Sequence, residues 1–223
     1  MLDNRRPAFG EIYSAYAAGC LDPAFMLLVE TQAALRPDVA RAIAQGEAIS
    51  GVFLETEESA RLTDSALMDA LSAIDEYEAS QTEQREAARR AGTAIDELLA
   101  LPQPLRETVL ETCADRSWQK LTSGVQRLPL KVDSAAEVEL YRIDPGQTVP
   151  KHTHRGSEYT LVVAGGFSDN SGHFGPGDLA IKGPENTHQP TGDDDGVCFA
   201  LAVRDDGLQF TGFLGAVQRV LGK

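Results

Sequence analysis

Residues 146–165 read GQTVPKHTHRGSEYTLVVAG, and this stretch decides the fold of the C-terminal half. His152 and His154 stand two apart, and in a strand the side chains at i and i+2 share a face, so both imidazoles can address one point. Glu158 follows a turn containing Gly156 and opens a second strand, with Thr160 and Val162 on its own face. His188 arrives thirty residues later, after a Gly177-Asp178 turn and Pro184. Three imidazoles and one carboxylate converging inside a small barrel suit a divalent transition metal, with Zn first and Fe, Mn, Ni or Cu also matching the donor set. All four histidines fall within 37 consecutive positions, after 151 residues without one.

Outward from this core, LTSGVQRLPL, EVELYRI, EYTLVVAGGF, DLAIKG and VCFALAV are short, rich in β-branched or alternating apolar residues, and separated by Gly, Pro, Asn and Asp. Strands at this spacing without intervening helices predict an antiparallel sandwich or barrel. FTGFLGAVQRVLG at the end is apolar enough to pack over the sheet as a strand or helix. His173, in SGHFGPG, fits no ligand position and is expected at the surface, and Asp193-Asp194-Asp195 is expected to be a solvated loop.

Upstream the period changes to that of helices. Phe9, Ile12, Tyr13 and Tyr16 make one apolar stripe, read either as internal core or as a partner-facing groove. Gly19 can end that helix, Asp22-Pro23 can begin a second and Pro37 a third running to about Leu54. Thr63-Asp64 can cap a fourth with Leu67, Leu71 and Ile74 on its buried side. The expected bundle core is Phe25, Leu28, Val29, Leu35, Ile43, Ile49, Phe53 and Leu71. Residues 79–92 are polar and read as a helical extension or a tether, and further short helices are expected near 94–101 and 105–112. The fold class is therefore α+β multidomain. Residues 1–80 form a helical domain, 81–104 a linker with a helix, and 105–223 a metal-binding all-β domain.

The 223 residues carry a net charge of -14. The first 80 hold 14 acidic residues against 5 arginines and no lysine, a surface that disfavours nucleic acid and suits a basic protein partner. No apolar run is long enough to span a membrane and no signal peptide opens the chain, so a cytoplasmic location is expected. Cys20, Cys113 and Cys198 are too scattered for a disulfide framework and read as buried structural thiols.

The ligand stretch resembles the cupins. Their first motif, G-x5-H-x-H-x3-E-x6-G, is matched by Gly146, His152, His154, Glu158 and Gly165, and their second, in looser form, by Gly177, Asp178, Pro184 and His188. Ala15 to Phe25, AYAAGCLDPAF, followed by MLLVETQAALRPDVARA, is similar to the N-terminal domain of ChrR-type anti-sigma factors, in which a small helical domain precedes a cupin. The resemblance implies a regulator that holds an extracytoplasmic-function sigma factor and releases it under oxidative or small-ligand stress. It also implies a zinc in the helical domain, held by an upstream His and H-x3-C-x2-C. Here those last positions carry Gln32, Arg36 and Val39, and no histidine precedes His152, so no zinc is expected there. The runner-up is a metal-dependent cupin enzyme, an Fe(II) dioxygenase on the same four ligands with Tyr159, Lys151 and Lys182 nearby. A binding module without catalysis comes third, and self-association as a homodimer is expected of stacked cupin sheets.

Overall fold

A computed structural model describes residues 11–90, 95–205 and 208–210. Three helices come first: α1 (Glu11–Ala17), α2 (Pro23–Leu35) and α3 (Pro37–Leu54). Gly19 at φ 67° terminates the α1 segment, and the Asp22 carboxylate accepts from the Ala24 amide at 2.9 Å to cap α2 ahead of Pro23. Tyr13, Val29, Val39 and Ile43 are buried together, with Ile12 and Tyr16 packed against them. Phe9 lies outside the described residues.

Helix α4 (Ala66–Arg90) settles the character of the polar stretch, which continues the helix to Arg90. The expected burial of its apolar side does not occur. Leu67, Leu71 and Ile74 are exposed, as are Ile49 and Phe53 of α3, so Ile49, Phe53 and Leu71 leave the predicted bundle core. The physical reason is that α4 lies against the later helix α6 instead of closing on α1–α3. Tyr77 donates to the Glu107 carboxylate at 3.0 Å across that contact. Two short helices, α5 (Ile95–Leu99) and α6 (Leu105–Asp115), lead into the strands.

The strands are β1 (Gln119–Thr122), β2 (Val125–Pro129), β3 (Glu137–Ile143), β4 (His152–His154), β5 (Glu158–Ala164) and β6 (Phe167–Asp169). They continue as β7 (Gly172–Phe174), β8 (Leu179–Lys182), β9 (Thr187–His188), β10 (Thr191–Gly192), β11 (Cys198–Arg204) and β12 (Leu208–Phe210). The large antiparallel sheet has the order β1-β2-β3-β11-β5-β8, and it faces two three-stranded sheets, β10-β6-β7 and β12-β4-β9. All seven residues of β11 are buried because both faces of its sheet are covered. Phe199, Leu201 and Val203 point to a layer shared with Leu161, Leu179 and Val109, under α2 and α6. Cys198, Ala200 and Ala202 point inward with Val162, Ala180 and Tyr141. Large residues thus serve the helix-covered face, and small ones keep the interior open beside the histidines.

α2 is the joint between the two halves. Ala24, Leu27 and Leu28, with Phe25 and Leu35 against the same cluster, belong to the outer layer of the large sheet, so Phe25, Leu28 and Leu35 also leave the predicted bundle core, whereas Val29 belongs to it. The Phe25 ring meets Tyr159 edge-on at 5.1 Å, turning Tyr159 away from the ligands it follows in sequence.

Cys198 is buried as expected, but Cys20 and Cys113 are exposed: Cys20 follows the end of α1, and Cys113 sits on the outward side of α6. His173 is 57% exposed and pairs with Asp193 at 2.8 Å. Asp193 is only half buried and its backbone binds Gly166 and Gly146, so the acidic run begins as a structural tie and becomes solvated at Asp194 and Asp195.

Candidate metal centre

The β4–β9 register sets His152 opposite His188, and β4 places His154 on the same face two residues on. All three imidazoles and the Glu158 carboxyl are buried, and one donor atom from each lies within 4.8 Å of the others. Nε2 of His188 is 3.0 Å from Nε2 of His152 and 3.1 Å from Nε2 of His154.

The outer nitrogens fix what these inner ones are. Nδ1 of His152 donates to the Pro150 carbonyl at 2.7 Å, because a carbonyl can only accept. Nδ1 of His188 donates to Asp169 Oδ2 at 2.8 Å. Burial raises the cost of charging Asp169, but hydrogen bonds from His188 and Lys182 outweigh it and keep that carboxyl ionised, well below its usual range. With its Nδ1 proton on the Pro150 carbonyl, neutral His152 turns a bare Nε2 lone pair toward Nε2 of His188, at a spacing suited to two donors sharing one cation. Metal–nitrogen bonds of about 2.0–2.1 Å put neighbouring donors roughly 3 Å apart, so the residues present fit a metal ion. His154 Nδ1 is buried without a hydrogen-bond partner, 3.8 Å from Glu158 Oε2.

Burial, then the adjacent His188, pushes His152 down to about 4, and burial lowers His154 as well. Both imidazoles are in the coordinating form at neutral pH. An unfolded His152 takes a proton near 6.5 whereas the folded one resists until about 4, so between those values the unfolded chain binds more protons. The metal-free protein is expected to lose on the order of 3 kcal/mol of stability as pH falls through that interval, read as a falling Tm. A Tm that does not change across it would contradict a neutral His152 in the folded chain.

Residues that no motif marked support the ligands. Lys182 pairs with Asp169 at 2.9 Å, with both side chains nearly inaccessible, so β8 holds the carboxylate that orients His188. Arg204, 1% exposed, donates to Glu158 Oε2 at 3.2 Å and to the Tyr141 hydroxyl, and also pairs with Glu139. Thr160 donates to Glu158 Oε1 at 3.0 Å. Burial opposes charge on Glu158, yet Arg204 and the histidines outweigh it and keep the carboxyl ionised. A charged residue at an inward strand position, Lys182 in DLAIKG or Arg204 after VCFALAV, was the available signal for these partners. Beside the ligands a cavity of about 40 Å³ is lined by Tyr141, Ile143, Val149, Phe167, Ala200 and Ala202.

Among the described residues the helices offer no comparable set. Gln32 presents an amide, Arg36 a guanidinium and Val39 an isopropyl group, and these do not fit zinc. Among the described residues the cupin quartet is the His/Cys/Asp/Glu group able to hold a metal.

A family model described as the ChrR cupin-like domain matches residues 106–205. The chain is 33% identical over 203 residues to the anti-sigma-E factor ChrR of Cereibacter sphaeroides, covering 91% of each protein. Its fold superposes with a TM-score of 0.63 and 31% identity on a chain in the crystal structure of Rhodobacter sphaeroides SigE in complex with the anti-sigma ChrR, covering 86% of this chain and 94% of that one. A helical domain joined to a cupin, matched along nine-tenths of its length, makes this chain a member of the ChrR anti-sigma factor family.

Proposed function

We propose that this protein is a cytoplasmic anti-sigma factor that holds an extracytoplasmic-function sigma factor on its helical domain and releases it when oxidant or small-ligand chemistry alters the cupin site. One observation carries the reading. Among the described residues the exposed large hydrophobics, Ile49, Val52, Phe53, Leu54, Leu62, Leu67, Met68, Leu71, Ile74 and Tyr77, all fall in the stretch from α3 to α4. So many large apolar side chains left uncovered along one stretch of chain mark a docking region. Glu55, Glu57, Glu58, Asp64, Asp75 and Glu76 surround it in sequence, which favours a basic partner such as a promoter-binding sigma domain. The region continues into a groove of about 510 Å³ lined by Tyr16, Glu30, Ile43, Tyr77 and Glu107. Of the stripe Phe9, Ile12, Tyr13 and Tyr16, this reading assigns Tyr16 to the docking surface and leaves the buried Tyr13 to the core. The relative crystallised as ChrR with SigE supports a sigma factor as the partner.

His152, His154, Glu158 and His188 would hold one metal ion, zinc first, which supplies an electrophilic centre for exchange with a small oxidant. Arg204 and Asp169 keep two of those ligands ionised or correctly protonated. The enzyme alternative would take a small oxidant in the cavity of about 40 Å³ beside the ligands and an organic substrate in the wider groove of about 440 Å³ lined by Lys151, Asp169, Asn170 and His188.

The test is co-expression with the sigma factor encoded beside it, followed by elemental analysis. A stable one-to-one complex with about one metal per chain is expected. Absence of a complex together with turnover of an organic substrate would move the function to the dioxygenase.

A further inference from the structure

Gln32 is 4% exposed and uses both ends of its amide, each on a different part of the molecule. Its Oε1 accepts from the Tyr13 hydroxyl of α1 at 2.6 Å, and its Nε2 donates to the Gly177 carbonyl of the cupin at 3.1 Å. One helical turn later the stem of Arg36 lies against bare Gly177, where a Cβ would come within 2.6 Å of Arg36 Cγ. The Arg36 guanidinium pairs with Asp38 at 2.9 Å and reaches Asp178 at 3.4 Å. Asp178 meanwhile accepts from the Gly175 amide at 2.9 Å, so the residue that shapes the turn also faces the helical domain. A buried amide satisfied from two sides fixes orientation in a way that apolar packing alone does not.

The turn so gripped is the start of β8. Strand β8 ends at Lys182, which holds Asp169 and through it His188, and Lys182 is also the register partner of the ligand Glu158. At the other end Tyr13 sits in the bundle core with Val29, Val39 and Ile43. We propose that Tyr13, Gln32 and Arg36 form a metal-free latch on the Gly177-Asp178 turn that conveys the state of the cupin site to the sigma-binding helices, an inference that rests on the anti-sigma reading for its output. Two of the three positions where the resembled family keeps zinc ligands, Gln32 and Arg36, thus serve here as a hydrogen-bonded tie between domains, while Val39 joins the bundle core.

Amide hydrogen exchange on the full chain without sigma, zinc-loaded and then stripped by chelator, tests the latch. In the wild type, stripping is expected to speed exchange several-fold, about 5-fold or more, both in residues 175–182 and in residues 23–54. Gln32→Leu keeps the response in 175–182 and reduces that in 23–54 to less than about 2-fold. Full transmission in Gln32→Leu, or no metal dependence of residues 23–54 in the wild type, overturns the proposal. Asp178→Asn retains the acceptor for Gly175 while removing the charge that faces Arg36. It serves if Gln32→Leu fails to fold, with a partial loss of transmission expected and undiminished transmission again overturning the latch. Sigma binding measured separately keeps the two readings apart: transmission without sigma binding refutes the anti-sigma function and leaves the latch standing.

Discussion

Leu67→Asp combined with Leu71→Asp is expected to abolish capture of the sigma factor while leaving the fold intact. Both side chains are exposed, at 70% and 46%, and neither belongs to a buried cluster, so the cost to stability should stay within about 0.5 kcal/mol per substitution. Their burial against a partner would contribute of the order of 1.5–3 kcal/mol each, and a desolvated aspartate adds a further penalty. An affinity loss of at least about 100-fold follows, measurable by calorimetry or by transcription from a sigma-dependent promoter. Unchanged affinity with unchanged Tm would move the docking surface elsewhere.

The second large effect concerns the metal. His188→Ala removes a donor and leaves Asp169 and Lys182 buried without the imidazole they orient. Metal content is expected to fall from about one ion per chain to below about one-tenth under dialysis, with loss of stress-induced sigma release. Asp169→Asn keeps every direct ligand but reverses or weakens the hydrogen bond that fixes the His188 tautomer. Its metal affinity should fall roughly 10- to 100-fold, the range typical of partners that orient a ligand. Metal retained at full stoichiometry in His188→Ala would remove that residue from the ligand set.

The strands and the quartet were legible because their rules are local. Alternation in EVELYRI and VCFALAV places β3 and β11, and the i, i+2 spacing of His152 and His154 places two donors on one face. The path of α4 was not legible. Periodicity at Leu67, Leu71 and Ile74 shows that a helix has an apolar face, but not which surface covers it, and here none of the described elements does. Asp169 and Arg204 were missed for a related reason, and Lys182 was read as near the ligands without its partner. The three come from β6, β8 and β11, and only long-range strand pairing brings them behind the ligands. The roles of Gln32 and Arg36 depend on a turn more than 140 residues away, beyond the reach of any sequence window.

The pairing of β4 has a consequence beyond geometry. This three-residue strand is hydrogen-bonded to β9 on one side and to β12 on the other, with its two histidines pointing into the interior. Opening the backbone bonds on either flank would displace two donors at once, so the integrity of the donor set is tied to the local stability of a paired strand. Fraying of β4 would therefore cost metal affinity in proportion to the population of the opened state.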